Sequence, residues 1–123
     1  METARRLVAI VDDDPGVCRA LARLARSLGF DAATYPSGEA LLSGLAPGGA
    51  RPDEVLLDLH LPGLRGPDVI AALRRRGIGA RIVVMTGLDR PGSRELCLGA
   101  GAAAYVTKPI RRDDLATLIG RPD

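Results

Sequence analysis

Polar side chains end or follow four separate apolar runs of the sequence. Asp12 and Asp13 come after the first run, Asp58 ends the third, Thr86 follows the fourth and Lys108 follows the fifth. Apolar runs of this length are typical of strands buried on both faces of a parallel sheet. The ligand crevice of an open α/β sheet lies at the carboxyl ends of its strands, so we expect these five side chains to converge.

Three carboxylates brought together would repel one another, and each would resist ionising. A hard divalent cation resolves this conflict, and oxygen ligands with room for water suit Mg²⁺. Mg²⁺ beside a carboxylate and an ammonium is typical of sites for phosphoryl transfer, where catalysis is mostly positioning and charge neutralisation. A carboxylate can itself accept the phosphoryl group as an aspartyl phosphate. Asp58, central between the acidic pair and the Thr86 and Lys108 side, is the predicted acceptor.

Each of these residues also has an ordinary structural interpretation. Aspartates after a strand usually cap the next helix, but Asp14 already stands in the cap position before Pro15. Lys108 is the only lysine beside sixteen arginines, which favours a site that needs a compact ammonium rather than a planar guanidinium. The joint placement at four strand ends is harder to explain by accident than any single member.

Short apolar runs alternate five times with amphipathic segments. Predicted strands cover 7–11, 31–35, 54–57, 81–85 and 103–107, and residues 46–52 form a Pro/Gly loop. Predicted helices run from Pro15 to Gly29, after Ser37, from about Pro67, from Pro91, and over 113–119, with Gly92 and Gly99 weakening the fourth. This alternation predicts an α/β fold with a mainly parallel sheet and one domain over 1–123.

The composition excludes several functions. Aromatic residues make up only 2% of the chain, too few for the stacking platforms of single-stranded nucleic-acid binders. The net charge of +2 is too small for strong electrostatic attraction to DNA, so we expect no direct nucleic-acid contact. No apolar run reaches the ~18 residues of a membrane span, and no signal peptide opens the chain. Cys18 and Cys97 are predicted to be buried reduced thiols of a cytoplasmic protein.

The sequence resembles a response-regulator receiver domain of two-component systems over nearly all of its length. The segments that carry the resemblance are VDDDP at 11–15, LLDLHLPG at 56–63 with Gly66, VMTG at 84–87 and YVTKP at 105–109. They stand in the order and at the spacing of that family. The Thr86-Gly87 pair favours receivers attached to helix-turn-helix output domains of LuxR/FixJ-type transcription factors.

The resemblance implies a doubly wound five-stranded parallel sheet in the order 2-1-3-4-5, with helices on both faces. It implies that Asp58 accepts a phosphoryl group from the phosphohistidine of a histidine kinase or phosphotransfer protein. Mg²⁺ would be held by Asp12, Asp13, Asp58 and the backbone carbonyl of His60. Lys108 would pair with a phosphoryl oxygen, and such domains are phosphoacceptor switches rather than enzymes.

A switch is the further implication. On phosphorylation, the Thr86 hydroxyl would move onto the phosphoryl group, a partner that it lacks beforehand. Tyr105 would turn inward in step. The Lys108–Pro109 peptide bond would be cis. Phosphorylation adds about −1.5 to −2 charge and strong acceptor oxygens. The surface formed by the fourth helix, the fifth strand and the fifth helix is predicted to carry the output.

The expected partners are the phosphodonor protein, a DNA-binding output domain in a longer parent chain or on a partner protein, and a second copy on phosphorylation. The chain is either a receiver cut from a longer protein or a small stand-alone one. An alternative is a phosphatase of the haloacid-dehalogenase type, but His60 stands where that family has a second acid.

Two further alternatives are a dinucleotide- or flavin-binding module and an unphosphorylated interaction domain that keeps only the fold. The first needs a Gly-rich turn after strand one, where this chain has Asp12, Asp13 and Asp14. The intact Asp58, Thr86 and Lys108 count against the second.

Overall fold

Five strands and five helices alternate in the computed structural model, which describes residues 6–45 and 47–119. The strands are β1 (Leu7–Val11), β2 (Asp31–Tyr35), β3 (Glu54–Asp58), β4 (Arg81–Thr86) and β5 (Ala104–Thr107). The helices are α1 (Pro15–Ser27), α2 (Gly38–Gly44), α3 (Gly66–Arg75), α4 (Ser93–Ala100) and α5 (Arg112–Ile119). Ala46 of the predicted loop and both ends of the predicted 1–123 domain lie outside the described residues.

All neighbouring strands pair in parallel, in the order β2-β1-β3-β4-β5. The predicted fold class and strand order are therefore confirmed. No helix among the described residues combines the length and the apolar character needed to cross a bilayer.

The sheet separates two apolar layers, because successive side chains of a strand point to opposite faces. One layer packs the sheet against α2, α3 and α4 through the buried side chains of Ala9, Val11, Val55, Leu57, Leu41, Val69, Leu73 and Cys97. The other packs it against α1 and α5 through Val8, Ile10, Leu56, Val83, Met85, Cys18, Leu21 and Leu115. Both cysteines are buried and free, as predicted.

α1 begins with the predicted cap. The Asp14 carboxylate accepts hydrogen bonds from the backbone N–H groups of Gly16 at 2.8 Å and Val17 at 3.4 Å. These N–H groups have no partner within the helix, and a carboxylate there also suits the helix dipole. Since Asp14 fills this role, Asp12 and Asp13 remain available for other contacts.

α4 begins two residues later than predicted. Gly92 has a φ of 85°, in the left-handed region, and therefore stands outside the helix as its N-cap. The helix that follows is short, from Ser93 to Ala100, and it buries Cys97. The predicted start at Pro91 is wrong because the sequence pattern did not show this change of backbone conformation.

The remaining boundaries differ from the predictions by about one residue. β3 and β4 each extend one residue further, to Asp58 and Thr86. The ladder continues there because the N–H of Leu59 donates to the carbonyl of Met85 at 2.8 Å and that of Lys108 to Thr86 at 2.7 Å. The carboxyl ends of β1, β3, β4 and β5 therefore lie side by side at one edge of the sheet.

At Gly38, α2 packs closely against α3. A Cβ at Gly38 would lie 2.4 Å from Cγ2 of the fully buried Val69, so Gly38→Ala must displace the core. We expect this substitution to lower the free energy of unfolding by about 1–3 kcal/mol in urea denaturation.

Gly99→Ala in α4 is the matched control, because a Cβ there meets nothing within 4 Å. It is expected to raise stability by up to about 1 kcal/mol, since alanine favours the helix. Equal effects of the two substitutions would contradict the close packing of α2 on α3.

Candidate functional site

Three carboxylates meet at the carboxyl edge of the sheet. Asp12, Asp13 and Asp58 each offer one oxygen, and these oxygens all lie within 4.8 Å of one another. Asp12 and Asp58 are buried, at 1% and 5% exposure, whereas Asp13 is exposed. The cluster therefore has two acids in the protein interior and one on its solvent side, and the predicted convergence is present.

Lys108 lies inside this cluster. Its Nζ donates to Oδ2 of Asp12 at 2.6 Å and lies 3.5 Å from Oδ2 of Asp58. The ammonium thus lies closer to Asp12 than to Asp58, which the sequence did not indicate. The Lys108–Pro109 peptide bond is cis, as predicted.

Contacts with the start of α1 fix Asp12. Its Oδ1 accepts the backbone N–H of Asp14 at 2.9 Å, and its carbonyl oxygen accepts the Cys18 thiol at 3.2 Å. With Lys108 on Oδ2, both carboxylate oxygens already have a partner. A carboxylate has about four lone-pair sites, so each oxygen can still accept another ligand. Asp12 is consequently oriented before anything else binds.

Burial raises the pKa of the Asp58 carboxyl, and the charge of Asp12 raises it further. The backbone N–H of His60, 3.2 Å from Oδ1, and the Lys108 ammonium oppose this shift without cancelling it. Burial also acts to lower the pKa of Lys108, but its hydrogen bond to Asp12 and the charge of Asp58 outweigh burial and raise it. The site therefore holds a firmly protonated ammonium beside a carboxylate that would gain from more positive charge.

The residues present fit a magnesium ion by the chemistry of their donor atoms. Mg²⁺ prefers hard oxygen ligands and usually binds through one or two carboxylates together with water. Three carboxylates against one ammonium leave an excess of negative charge that a divalent cation would offset. His60, the fourth predicted ligand, has an exposed side chain and lies directly beside Asp58 through its N–H.

Thr86 is fully buried, and its hydroxyl is occupied. Oγ1 donates to the carbonyl of Leu88 at 2.8 Å and accepts the N–H of the same residue at 3.0 Å. The hydroxyl therefore has other partners before any phosphoryl group is present, because threonine at the end of a strand can bond the backbone two residues on. To reach Asp58, Thr86 must give up both of these hydrogen bonds.

Tyr105 already lies inward. Its side chain is 6% exposed, and its hydroxyl donates to Oδ1 of Asp89 at 2.8 Å. Burial raises the pKa of the Tyr105 phenol, and the hydrogen bond and charge of Asp89 add to the shift. An inward turn of Tyr105 in step with Thr86 would thus not start from this conformation.

Sequence reasoning missed two acidic residues. Asp89 lies in the loop before α4, and no spacing pattern connects it to Tyr105. Glu54 is the first residue of β3 and is only 2% exposed. A charged residue that opens the most buried strand was a usable signal, because carboxylates are rarely buried without a reason.

Comparison with known proteins places the chain in a family. Residues 8–120 match the response regulator receiver domain. The DNA-binding response regulator MtrA of Mycolicibacterium smegmatis is 38% identical over 119 residues, covering 97% of this chain and 51% of MtrA. The sensory transduction protein RegX3 of Mycobacterium bovis is 38% identical over 112 residues, covering 91% of this chain and 48% of RegX3. The chain spans about half the length of the curated relatives it matches.

Solved structures share the architecture. A CheY-like receiver domain from Methanospirillum hungatei superposes with a TM-score of 0.87 at 22% identity, covering 95% of this chain and 92% of that one. The BeF3-activated DrrB receiver domain superposes with a TM-score of 0.85 at 24% identity, covering 96% of this chain and 97% of that one. FixJ-N superposes with a TM-score of 0.83 at 26% identity, covering 96% of this chain and 93% of that one. The first two likenesses show the fold alone.

This family is one of phosphoacceptor switches rather than of enzymes, so the phosphatase alternative loses its support. The matched residues run from β1 to the end of α5 and include every carboxylate of the cluster as well as Lys108. The chain belongs to the response regulator receiver domain family of two-component signalling.

Proposed function

We propose that Asp58 of this chain accepts a phosphoryl group from the phosphohistidine of a histidine kinase or phosphotransfer protein. The single observation that carries the proposal is the position of the Lys108 ammonium, 2.6 Å from Asp12 and 3.5 Å from Asp58. A fixed cation at this place can pair with a phosphoryl oxygen once Asp58 is modified, and it needs no rearrangement to do so.

The transfer is a displacement at phosphorus. An Asp58 carboxylate oxygen forms the new bond to phosphorus while the bond from phosphorus to the histidine nitrogen breaks, and the electron pair leaves with the imidazole, which takes up a proton. The N–H of His60 on Oδ1 and the ammonium of Lys108 near Oδ2 hold the carboxylate in one orientation. Such positioning supplies much of the rate in phosphoryl transfer.

Asp12, Asp13, Asp58 and the backbone carbonyl of His60 would hold Mg²⁺. When bound, the metal supplies positive charge that offsets the carboxylates and the phosphoryl oxygens. The exposed Asp13 lies on the solvent side of the cluster, where water can complete the coordination. Asp12 would share its oxygens between the metal and Lys108.

The switch would begin at Thr86. A phosphoryl group adds strong acceptors close to the end of β4. Thr86 would give up its two hydrogen bonds to Leu88 and donate to a phosphoryl oxygen instead. That exchange opens the turn that leads into α4, a helix of eight residues that begins after Gly92 and contains Gly99. The surface of α4, β5 and α5 would therefore carry the output.

The output would be transcriptional. The matched relatives include a protein named DNA-binding response regulator MtrA, and this chain covers about half of it. We propose a DNA-binding output domain in a longer parent chain or on a partner, a homodimer on phosphorylation, no nucleic-acid contact by this domain itself, and a cytoplasmic location. The LuxR/FixJ subtype stays a prediction, since FixJ-N and the OmpR/PhoB homologue DrrB are both among the matched structures.

Incubation with acetyl phosphate and Mg²⁺ is expected to add one phosphoryl group, measured by intact mass. Asp58→Asn should abolish the gain, because an amide oxygen is a far poorer nucleophile than a carboxylate. Asp53→Asn, directly before the opposite end of β3, should keep it. A gain that survives in Asp58→Asn would overturn the assignment of the acceptor.

The raised pKa of Asp58 predicts that Asp58→Asn stabilises the metal-free protein at pH 7. The folded state holds this proton more tightly than the unfolded state, so the protonated form stabilises below the unfolded pKa. That contribution is lost as pH rises through the higher folded pKa. Above that pH, the ionised carboxylate lowers the free energy of unfolding. The midpoint of urea denaturation in EDTA should rise at pH 7 more than below pH 3.8. If Asp58→Asn raised the urea midpoint by the same amount at both pH values, the prediction would be refuted.

Beryllofluoride with Mg²⁺ should mimic the phosphoryl group and shift backbone amide resonances from Thr86 through α4 to β5 and α5. Resonances of β2, on the far side of the sheet, should move least. Thr86→Ala should retain binding but reduce the shifts in α4 at least about twofold, because the hydroxyl that transmits the change is gone. Amide shifts that leave α4, β5 and α5 unaffected would contradict the output surface.

A further inference from the structure

A second polar cavity lies at the amino ends of the central strands. Its volume is about 800 Å³, compared with about 260 Å³ for the one beside Asp12 and Asp13. Its walls come from the residues before β1, the start of β3, the loop between α3 and β4, and Thr117 of α5. It therefore lies at the sheet edge opposite the aspartate cluster.

Glu54 lines this cavity, and one of its carboxylate oxygens is unsatisfied among the described residues. Its Oε2 accepts a hydrogen bond from Arg6 at 2.9 Å. Its Oε1 is buried and has no hydrogen-bond partner among the described residues, and NH1 of Arg81 lies 3.8 Å from it. A buried acceptor without a donor is costly and uncommon, so a ligand in the cavity that donates a hydrogen bond would satisfy this oxygen.

The cavity is also positively charged. Arg6, Arg51 and Arg81 line it together with Asp53 and Glu54, so guanidinium groups outnumber carboxylates. Arg51 is exposed at the rim, and the Arg81 side chain is 43% exposed while its NH1 donates to the carbonyl of Leu118. A guanidinium has five N–H donors, so Arg81 keeps donors for another ligand. The surroundings favour an anion, and Glu54 requires that this anion also donate a hydrogen bond.

We propose that this cavity binds a phosphate group that still carries a proton, either as inorganic hydrogen phosphate or as a phosphate monoester. The P–OH group donates to Oε1 of Glu54, and the ionised oxygens accept from Arg51 and Arg81. Sulfate has similar size and charge but no proton at neutral pH, so it would present only acceptors to the Glu54 carboxylate. The site should therefore distinguish phosphate from sulfate.

This site is separate from the proposed phosphoacceptor. Glu54 and Asp58 lie on the same face of β3, four residues apart, which corresponds to roughly 13 Å along the strand. Measurements on Asp58→Asn in EDTA without Mg²⁺ exclude phosphorylation and metal-assisted binding at the other edge. Failure of either proposal therefore leaves the other unaffected.

The experiment is isothermal titration of Asp58→Asn with sodium phosphate and sodium sulfate at pH 7.5 and equal ionic strength, supported by ³¹P line broadening. Phosphate is expected to bind at least about tenfold more tightly than sulfate, the size of one hydrogen bond to a charged group. Arg51→Ala should weaken phosphate binding at least about fivefold. Arg75→Ala removes an exposed arginine of α3 outside the cavity and should leave binding unchanged.

Glu54→Gln tests the selectivity itself. The amide can donate to an ionised oxygen and carries no charge, so the preference for phosphate over sulfate should shrink to about twofold or less. Equal binding of phosphate and sulfate to the parent protein, or phosphate binding that Arg51→Ala leaves intact, would overturn the proposal.

Phenyl phosphate separates the two sources of the ligand. A monoester has a second pKa near 6 and has mostly lost its proton at pH 7.5. The two ligands are therefore compared at pH 5.5, where most of each keeps a proton. Weaker binding of phenyl phosphate than of inorganic phosphate assigns the site to the free ion, and tighter binding assigns it to an ester whose organic part fills the remaining volume. Absence of binding by both compounds rules out the site.

Discussion

The short contact between the Lys108 ammonium and the Asp12 carboxylate is the interaction on which the site depends. At 2.6 Å, and mostly shielded from water, its Coulomb attraction is screened less than that of a surface ion pair. It allows Asp12 to remain buried only a few ångströms from two other acids. Without this cation, three carboxylates at one edge of the sheet would repel one another and favour separation. The residues around them hold this balance in place.

The parallel sheet brings these charges together from distant parts of the chain. Asp12 and Lys108 are 96 residues apart, yet each directly follows a strand. The backbone hydrogen bonds that join β3, β4 and β5 and the residues just after them align Asp58, Thr86 and Lys108 at the same edge of the sheet. Two layers of aliphatic side chains make the sheet rigid, so the charge arrangement is set by the fold rather than by flexible loops.

Much of this arrangement was predictable from the sequence because it follows from periodic patterns and a topological rule. Continuous apolar runs indicated the buried strands, and the rule for strand ends located Asp58 and Lys108 correctly. The turn that occupies Thr86 could not be predicted, because it depends on the backbone of Leu88 two residues on. The same holds for Tyr105 and Asp89, which only a folded loop brings within 2.8 Å. Side-chain partners across loops have no sequence period to reveal them.

The arginine bias of the sequence has a practical chemical consequence. Lys108 is the only lysine in the 123 residues, so acylating or reductively methylating reagents meet a single side-chain amine, within the site. Such reagents attack the unprotonated amine, and the raised pKa of Lys108 keeps that form scarce. The modification rate of this nitrogen atom therefore reports the charge state of Asp12 and Asp58, without any engineered label.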